Sequence, residues 1–270
     1  MTSPALCIGP DTSIHAAVRL MDDAEVRHLP VVCLEKLVGI VSDRDLLRAT
    51  GWLPPRMRDV SSGGRDRERA VSDLMHRPVM TVTPEDSVVT VAVEAVVQGI
   101  GCLPVIDDDQ VVGIVTEFDL LKAYLDACSA GSHLADLDPT VERYMTRAVR
   151  AIDTHGTLGL ARSILGELAV RHLPVVSAGR LVGLVSDRDL RRAEGRGRSG
   201  DFPIDEVMSR DTISVDPGAQ LSVAVGEMVR HKIGSLPVLR DDELIGILTT
   251  TDVLDHCMNH LREPEGSPWR

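Results

Sequence analysis

The hydrophobic positions of the chain recur in four similar blocks. Each block has a short apolar run, a segment with apolar residues three and four apart, two further apolar runs divided by a few polar residues, and a second amphipathic segment. The i, i+3, i+4, i+7 spacing is that of one buried helix face, and two short runs around a polar turn are typical of a β-hairpin. The pattern therefore predicts an α/β (α+β) fold made of four β-α-β-β-α units.

The first helix of each unit is predicted from its buried face. Ser13 can cap the first of these helices, and the face is formed by Ile14, Ala17, Val18 and Met21. The third unit breaks the face at one place, where Arg162 accompanies Leu158, Ala161 and Leu165; its aliphatic stem can lie along the apolar surface while its charge reaches water. The same spacing recurs at Val88, Val91, Ala92 and Ala95, and at Leu221, Ala224, Val225 and Met228.

Two sequence strings identify the units as internal repeats. The first string is RHLPVV at 27–32, GCLPVI at 101–106, RHLPVV at 171–176 and GSLPVL at 234–239, and the second is GIVSDRDL at 39–46, GIVTEFDL at 113–120, GLVSDRDL at 183–190 and GILTTTDV at 246–253. Positions 26–49 agree with 170–193 at 18 of 24 places. This indicates a duplicated pair, in the order A-B-A′-B′.

The boundaries of the repeats follow from stretches rich in Gly, Ser, Pro and charge. The sequence predicts repeats at 1–50, 71–128, 141–194 and 204–258, linkers at 51–70, 129–140 and 195–203, and a tail at 259–270.

Each unit has a Ser or Thr followed three places later by Asp. This motif lies where the last strand of the unit ends and a helix begins. The pairs are Ser42 with Asp45, Thr116 with Asp119, Ser186 with Asp189 and Thr249 with Asp252. A capping box is one interpretation. Every copy has the short Asp rather than Glu or Gln, which suggests a purpose separate from capping. A carboxylate can accept from both hydroxyls of a vicinal diol, and a helix N-terminus favours phosphate, a combination that suits a nucleotide.

Composition narrows the class of protein. A net charge of −12 and a pI near 5.2 argue against nucleic-acid binding, which needs a basic surface. Five widely spaced cysteines with no C-x-x-C suggest reduced, buried thiols. The N-terminus has no signal-peptide pattern and no apolar run is long enough to cross a membrane. These features predict a cytoplasmic protein.

At these motifs the chain resembles the CBS-domain family, and its paired repeats resemble the two-repeat Bateman module. The resemblance covers roughly residues 3 to 258. It implies pseudo-twofold pairs that bind adenosine-type ligands, such as AMP, ADP, ATP or S-adenosylmethionine, in clefts between paired repeats. The Ser or Thr and Asp of each turn would then hold ribose, and the nucleotide would be a regulatory ligand rather than a cofactor.

The resemblance also implies contacts with the base and the phosphates. The family has a hydroxyl residue on the first strand near the base, a position filled here by Thr81 and Ser214 but by Cys7 and Ala151 in the other repeats. In the gamma subunit of AMP-activated kinase, which is similar in having four repeats, basic residues before the h-P-V-h strand meet phosphates. The matching residues are Arg27 with His28, and Arg171 with His172. A solvated strand entrance or a local ion pair is the alternative.

The sequence gives little support for metal binding or catalysis. His256 and His260 have metal-binding spacing on the last helix, but no third ligand is evident and a solvated helix end explains them equally well. The chain has no familiar catalytic motif, so an enzyme is not expected. The expected function is regulation of a separate, unknown protein partner, with a homodimer possible. The alternatives are a ligand-independent interaction scaffold and an enzyme that acts on a nucleotide.

Overall fold

A computed structural model of the chain describes residues 1–49, 69–129, 138–168 and 170–261. The chain divides into two compact units, Met1–Asp119 and Leu120–Arg270. Each unit contains helices and one sheet built from two β-hairpins. The α/β class predicted from the sequence is confirmed. Most of the predicted linker 51–70, much of the linker 129–140 and the end of the tail lie outside the described residues.

The first unit has a four-stranded sheet in the order β1-β2-β4-β3. Its elements are α1 (Ile14–Asp23), β1 (His28–Cys33), β2 (Lys36–Ser42), α2 (Asp43–Ala49), α3 (Val88–Val97), β3 (Cys102–Asp107) and β4 (Gln110–Thr116), followed by α4 (Glu117–Ser129), in which the boundary between the units falls.

The second unit repeats this plan with one additional short strand. Its sheet has the order β5-β6-β7-β9-β8. Its elements are β5 (Ile152–Asp153), α5 (Leu158–Leu168), β6 (His172–Ser177), β7 (Arg180–Ser186), α6 (Asp187–Gly195), α7 (Leu221–His231), β8 (Ser235–Arg240), β9 (Glu243–Thr249) and α8 (Thr250–Leu261).

The four hairpins share one register. The proline of each LPV string pairs with an apolar residue two places before the S/T-x-x-D turn, as Pro30 does with Ile40, and each hairpin has a bulge one residue after that proline. Both turn residues have positive φ, which gives the twist that two-residue hairpins need. In the first hairpin these are Leu34 and Glu35, with φ of 50° and 65°. Neither residue type is typical of such a turn.

The predicted first strand of each repeat is reduced to little more than one bridge. Ile8, Val82 and Val215 each form a single parallel bridge to the following hairpin, and only Ile152–Asp153 forms a strand. The short apolar runs at 6–8, 79–82 and 213–215, which the β-α-β-β-α pattern predicts as strands, therefore pair over a smaller extent than predicted. These segments contribute one buried apolar side chain each, too little pairing for a continuous ladder.

The predicted helix faces are confirmed except at Val88, the first residue of α3, which is 49% exposed. Ser13 caps α1 through the backbone N–H of Ala16, and Ile14, Ala17 and Met21 are buried. In α5, Leu158, Ala161 and Leu165 are buried while the Arg162 guanidinium lies 3.2 Å from Glu194 on α6. The broken position in that face is thus accommodated by an ion pair at its edge.

The two repeats of a pair exchange their leading segments. His76, in the leading segment of repeat two, pairs with Ile40 on β2 of repeat one, and Thr2, in the leading segment of repeat one, pairs with Ile114 on β4 of repeat two. In the second unit Thr146 pairs with Ile247 and Ser209 with Leu184 in the same reciprocal manner. The methionine before each of these residues packs on a strand glycine of the partner repeat: Met1 on Gly113, Met75 on Gly39, Met145 on Gly246 and Met208 on Gly183.

The predicted linker 195–203 takes part in the same exchange. The carbonyls of Gly200 and Phe202 accept hydrogen bonds from Gly159 and Leu158 at the start of α5, at 2.8 and 2.9 Å. This segment therefore satisfies the first N–H groups of a helix, which have no partner within the helix itself.

Candidate functional site

Each S/T-x-x-D turn closes on itself through one carboxylate oxygen. In the first repeat Asp45 Oδ2 accepts from the Ser42 backbone N–H at 3.0 Å and from Ser42 Oγ at 2.5 Å. The same pair of bonds joins Asp119 to Thr116, Asp189 to Ser186 and Asp252 to Thr249, over 2.6 to 2.9 Å. In the first, third and fourth turns the Asp N–H also donates to the Ser or Thr hydroxyl, over 3.3 to 3.4 Å, which is the reciprocal bond of a capping box.

The choice of Asp in place of Glu or Gln does not require the separate purpose that the sequence suggested, because the Asp carboxylate itself bonds the cap residue. The cap residue is extended, with φ −109° and ψ 163° at Ser186, and this conformation brings its own N–H close to the helix. The Asp189 carboxylate reaches that N–H at 2.9 Å. The choice of Asp over Glu is thus explained by capping and does not by itself indicate a ligand.

The second carboxylate oxygen differs between the two units. In the second unit, Oδ1 of Asp189 and of Asp252 has no hydrogen-bond partner among the described residues. In the first unit, Asp45 Oδ1 lies 3.1 Å from His76 Nε2, and Asp119 Oδ1 lies 3.7 Å from the backbone nitrogen of Met1. An oxygen that the cap does not use can accept from a bound hydroxyl.

The pKa values of two of these carboxyls move in opposite directions. Burial raises the pKa of Asp45, but the hydrogen bonds from Ser42 and the contact with His76 outweigh it, so the pKa lies below its ordinary value. For Asp252, burial and the charge of Asp255 outweigh the bonds from Thr249, and the pKa is raised. The contact that His76 makes with Asp45 has no counterpart among the groups that shift the pKa of Asp252.

The residues predicted to meet phosphates lie at the same end of the sheet as the turns. The Arg27 carbonyl accepts from the Asp43 N–H at 2.8 Å, and the Arg171 carbonyl accepts from the Asp187 N–H at 3.0 Å. Gly101 and Gly234 make the same bond to Glu117 and Thr250 in the other repeats. Each LPV strand is thus joined at its entrance to the first residue of its own S/T-x-x-D helix, next to the helix N-terminus.

His28 also has a neighbour in the second repeat. A Cβ placed on Gly101 would lie 3.0 Å from His28 Cε1 and 3.3 Å from Glu117 Oε1. The imidazole and this carboxylate therefore flank one glycine, and the carboxylate opposes binding of a phosphate there. In the fourth repeat Thr250 occupies the position of Glu117, so the glycine equivalent to Gly101, Gly234, has a threonine beside it in place of a carboxylate.

The predicted base-binding hydroxyls lie on the surface. Thr81 and Ser214 are exposed, each next to a buried valine that bridges to the hairpin, Val82 or Val215. Cys7 and Ala151 occupy the matching places in the other repeats and are half-buried. Exposure leaves Thr81 and Ser214 available to a ligand.

The histidine on the last helix does not have the solvated position expected for it. His256 is fully buried, and its ring packs edge-on against Tyr144 and Tyr124, with centroids 4.6 and 6.0 Å apart. Burial also raises the pKa of the Cys257 thiol beside it to about 12. The helix is anchored here by aromatic packing; the side chain of His260 lies outside the described residues.

Sequence reasoning missed His76 and Glu117. Glu117 lies inside the second S/T-x-x-D motif, at a position filled by Asp43, Asp187 and Thr250 elsewhere. His76 lies in the leading segment of repeat two, where the other repeats have Thr2, Thr146 and Ser209 after the same methionine. Alignment of the four methionines would have identified it as the one imidazole in a set of hydroxyl residues.

Comparison with known proteins identifies the family. The model of the CBS domain matches residues 1–51, 71–126, 141–196 and 204–259, and the chain belongs to the CBS-domain family. It is 28% identical to protein MJ1225 of Methanocaldococcus jannaschii, over 92% of this chain and 93% of that one. It is 30% identical to a 33.4 kDa protein encoded in the ribosomal RNA operon of Thermofilum pendens, over 93% and 87% of the two chains.

Two solved structures share the whole architecture. The crystal structure of MJ1225, proposed there as an archaeal homologue of g-AMPK, has a TM-score of 0.76 at 26% identity and covers 95% of this chain and 97% of its own. A conserved protein from Pyrococcus horikoshii has a TM-score of 0.66 at 26% identity, with the same coverage. The four-repeat arrangement is therefore shared along nearly the whole chain.

The described residues contain neither a membrane-spanning helix nor an evident metal site. No helix there combines the length and apolar character needed to span a bilayer. Within the same residues, no group of three or more His, Cys, Asp or Glu side chains is arranged to hold a metal ion.

Proposed function

We propose that the protein is a regulatory sensor that binds an adenosine-type nucleotide at its S/T-x-x-D turns and thereby modulates a separate protein partner. The proposal rests on how the carboxylate oxygens of Asp189 and Asp252 are bonded. Each closes its turn with Oδ2 alone, and Oδ1 has no partner within the described residues. A carboxylate oxygen held in place and still able to accept hydrogen bonds suits the hydroxyls of ribose.

The charges around the turns support a phosphate next to that ribose. Arg171 and His172 stand at the entrance of β6, and the Arg171 carbonyl binds the first N–H of α6. The N-terminus of a helix attracts anions through its unpaired N–H groups and its dipole. Arg27 and His28 stand in the same position before β1, whereas Glu117 adds a negative charge beside His28. The second unit is thus the better phosphate site.

The base is assigned to the side of the first-strand residues. Ser214 and Thr81 are exposed hydroxyls one place before the valine that bridges to the hairpin. A hydroxyl can donate to or accept from the polar edge of adenine. Under this proposal the fourth and second repeats contact the base through a side chain, and the first and third, with Cys7 and Ala151, do not.

Titration calorimetry with AMP, ATP and S-adenosylmethionine tests the proposal. The informative variant is Asp189→Asn, because its amide oxygen can still accept from Ser186 and preserve the cap, while its NH₂ group donates where ribose needs an acceptor. We expect saturable binding by the wild type and loss of one site in the variant. Asp211→Asn, on an exposed residue, is the matched control. Binding unchanged by Asp189→Asn would contradict the assignment of ribose to this turn.

A regulatory role further requires that bound nucleotide be recovered intact. We expect AMP and ATP to be unchanged after long incubation with the protein, measured by chromatography of the released ligand. Turnover to ADP, adenosine or adenine would instead favour an enzyme that acts on nucleotides.

A second candidate, an association surface, is favoured by apolar side chains on the outside of helices. Leu160 on α5 and Val223 on α7 are 50% and 54% exposed, and Val97 on α3 is 54% exposed. Apolar patches on a folded surface mark sites of protein contact. Sedimentation velocity of the wild type and of Leu160→Glu or Val223→Glu tests it: a homodimer disrupted by the charge supports association through these helices, and an unchanged sedimentation coefficient argues against it.

A further inference from the structure

Four residues occupy one equivalent position opposite the strand that leads into each S/T-x-x-D turn. Thr2, His76, Thr146 and Ser209 each follow a methionine and pair through the backbone with the residue two places before the Ser or Thr of a turn. The bonds from their N–H groups to the strand carbonyls span only 2.8 to 2.9 Å. The backbone therefore fixes this position two residues before the turn of the partner repeat.

Only the side chain at position 76 reaches a turn carboxylate in the described residues. His76 Nε2 lies 3.1 Å from Asp45 Oδ1, and the Asp45 side chain is 13% exposed whereas that of His76 is 69% exposed. The structure shows no such bond from Ser209 to Asp189 or from Thr146 to Asp252 within the described residues. Asp45 Oδ2 thus accepts from Ser42 of its own cap, and Oδ1 contacts His76 in the leading segment of the next repeat.

We infer that His76 is a specificity-determining residue that competes with ribose for Asp45, so that the turn of repeat one binds a nucleotide more weakly than its twin in repeat three. This inference rests on the proposed function, since it concerns the same carboxylate. Asp45 and Asp189 lie in the two most similar repeats, with the same S-D-R-D sequence and the same Arg-His pair before the LPV strand. The residue opposite, His76 or Ser209, is the difference between the two turns at the carboxylate itself, and it is separate from the charge that Glu117 adds beside His28.

The competition follows from the geometry of the oxygen. A ribose hydroxyl that donates to Asp45 Oδ1 must displace the His76 imidazole or share the oxygen with it. Displacement is feasible because His76 is largely exposed and its contact is screened by water. The nucleotide therefore still binds at the Asp45 turn, but with lower affinity. As nucleotide concentration rises, the turn of repeat three fills first and that of repeat one later.

The test measures how AMP affinity at each turn changes when the residue opposite its carboxylate, His76 or Ser209, is substituted. The double variant Asp189→Asn/Asp252→Asn disables the turns of the second unit, so that AMP can bind only to the first. In this background His76→Thr introduces the residue found at position 146. We expect AMP to bind about three- to tenfold tighter by calorimetry. The gain arises because AMP no longer has to displace one partly screened hydrogen bond to a charged group. In the background Asp45→Asn/Asp119→Asn, Ser209→His should install the competition opposite Asp189 and weaken AMP binding by a similar factor.

The outcomes separate this inference from the function on which it rests. A gain of affinity at one turn and a loss at the other support the competition, because structural damage would weaken both. AMP binding that is measurable in both backgrounds and unaffected by either change overturns the role of His76 and leaves the nucleotide sensor intact. An absence of AMP binding in every variant and in the wild type overturns the proposed function, and the inference with it.

Discussion

The Met75 side chain lies directly on Gly39, so that a Cβ added to this glycine would come within 3.0 Å of the methionine sulfur. Gly39 lies in the middle of β2, and Met75 comes from the segment that leads into the second repeat. The contact therefore holds the two repeats of the pair together at a place where only a hydrogen fits. Its three counterparts make the same contact in the other repeats.

The first prediction compares two of these glycines. Gly39→Ala meets only the flexible Met75 side chain, whereas Gly183→Ala meets Met208 and also the Ser209 carbonyl oxygen at 2.9 Å. Overpacking of this kind costs about 1 to 3 kcal/mol, and the cost rises when backbone must move. We expect the urea midpoint to fall in both variants, and further for Gly183→Ala. Gly226→Ala, where a Cβ would meet nothing within 4 Å on α7, is the control and should be neutral or stabilising.

The second prediction concerns pH. The pKa of Asp45 is lowered in the folded chain, so its ionised form stabilises the fold at neutral pH, and that contribution is lost as the pH falls through the folded pKa. Asp45→Asn should lower the thermal midpoint at pH 7 by the equivalent of about 1 to 2 kcal/mol and flatten its decline on acidification.

Asp252 provides the matched contrast, since its pKa is raised. Its charged form is disfavoured by folding, so this group destabilises the fold above its folded pKa and ceases to do so as the pH falls. Asp252→Asn should therefore leave stability at pH 7 unchanged or slightly improved. A loss equal to that of Asp45→Asn would contradict the opposite directions of the two pKa values.

The third prediction concerns thiol reactivity. Cys33 is exposed, whereas burial raises the pKa of Cys102 and of Cys257 to about 12. Since the thiolate is the reactive form, iodoacetamide at pH 8 should label Cys33 first and leave Cys102 and Cys257 unlabelled in the native protein. Peptide mapping by mass spectrometry measures the order. Early labelling of Cys102 or Cys257 would be incompatible with their burial.

The fourth prediction concerns a helix cap supplied from a distance. Gln220, the N-cap of α7, makes no side-chain cap bond, and Asp138 instead accepts from the Ser222 backbone N–H at 3.0 Å and from Ser222 Oγ at 2.5 Å. Asp138→Ala should cost about 1 kcal/mol, as loss of a cap does. Asp138→Asn retains an acceptor and should cost less. Equal losses in chemical denaturation would indicate that the carboxylate charge, not the hydrogen bond, matters.

The sequence predicted the units of this fold well because each signal was local and repeated. Hairpins, helix faces and the start of each second helix follow from periodicity within about 10 residues, and four copies made the boundaries visible. The extent of the first strands was not predictable, because Ile8, Val82 and Val215 pair with a hairpin that lies later in the chain. A run of three apolar residues does not specify how many of them join a ladder.

The candidate site was predicted only in part, for the same physical reason. The S/T-x-x-D residues are neighbours in sequence, and their geometry follows from the helix start. The contacts of His76 with Asp45 and of His28 beside Glu117 join different repeats. Such contacts depend on how the repeats pair, which one sequence does not reveal. A capping box was one of the interpretations drawn from the sequence, and the extended backbone of the cap residue explains why Asp is long enough to complete it.

The exchange of leading segments has a consequence for the ancestry of the chain. Each repeat of the second pair receives a methionine and a backbone partner from the other, so neither completes its own sheet edge. A single repeat would need a second copy to supply these contacts, whereas a chain of two repeats supplies both of them itself. The closer agreement of 26–49 with 170–193 accords with this: the unit that was copied as a whole was the pair.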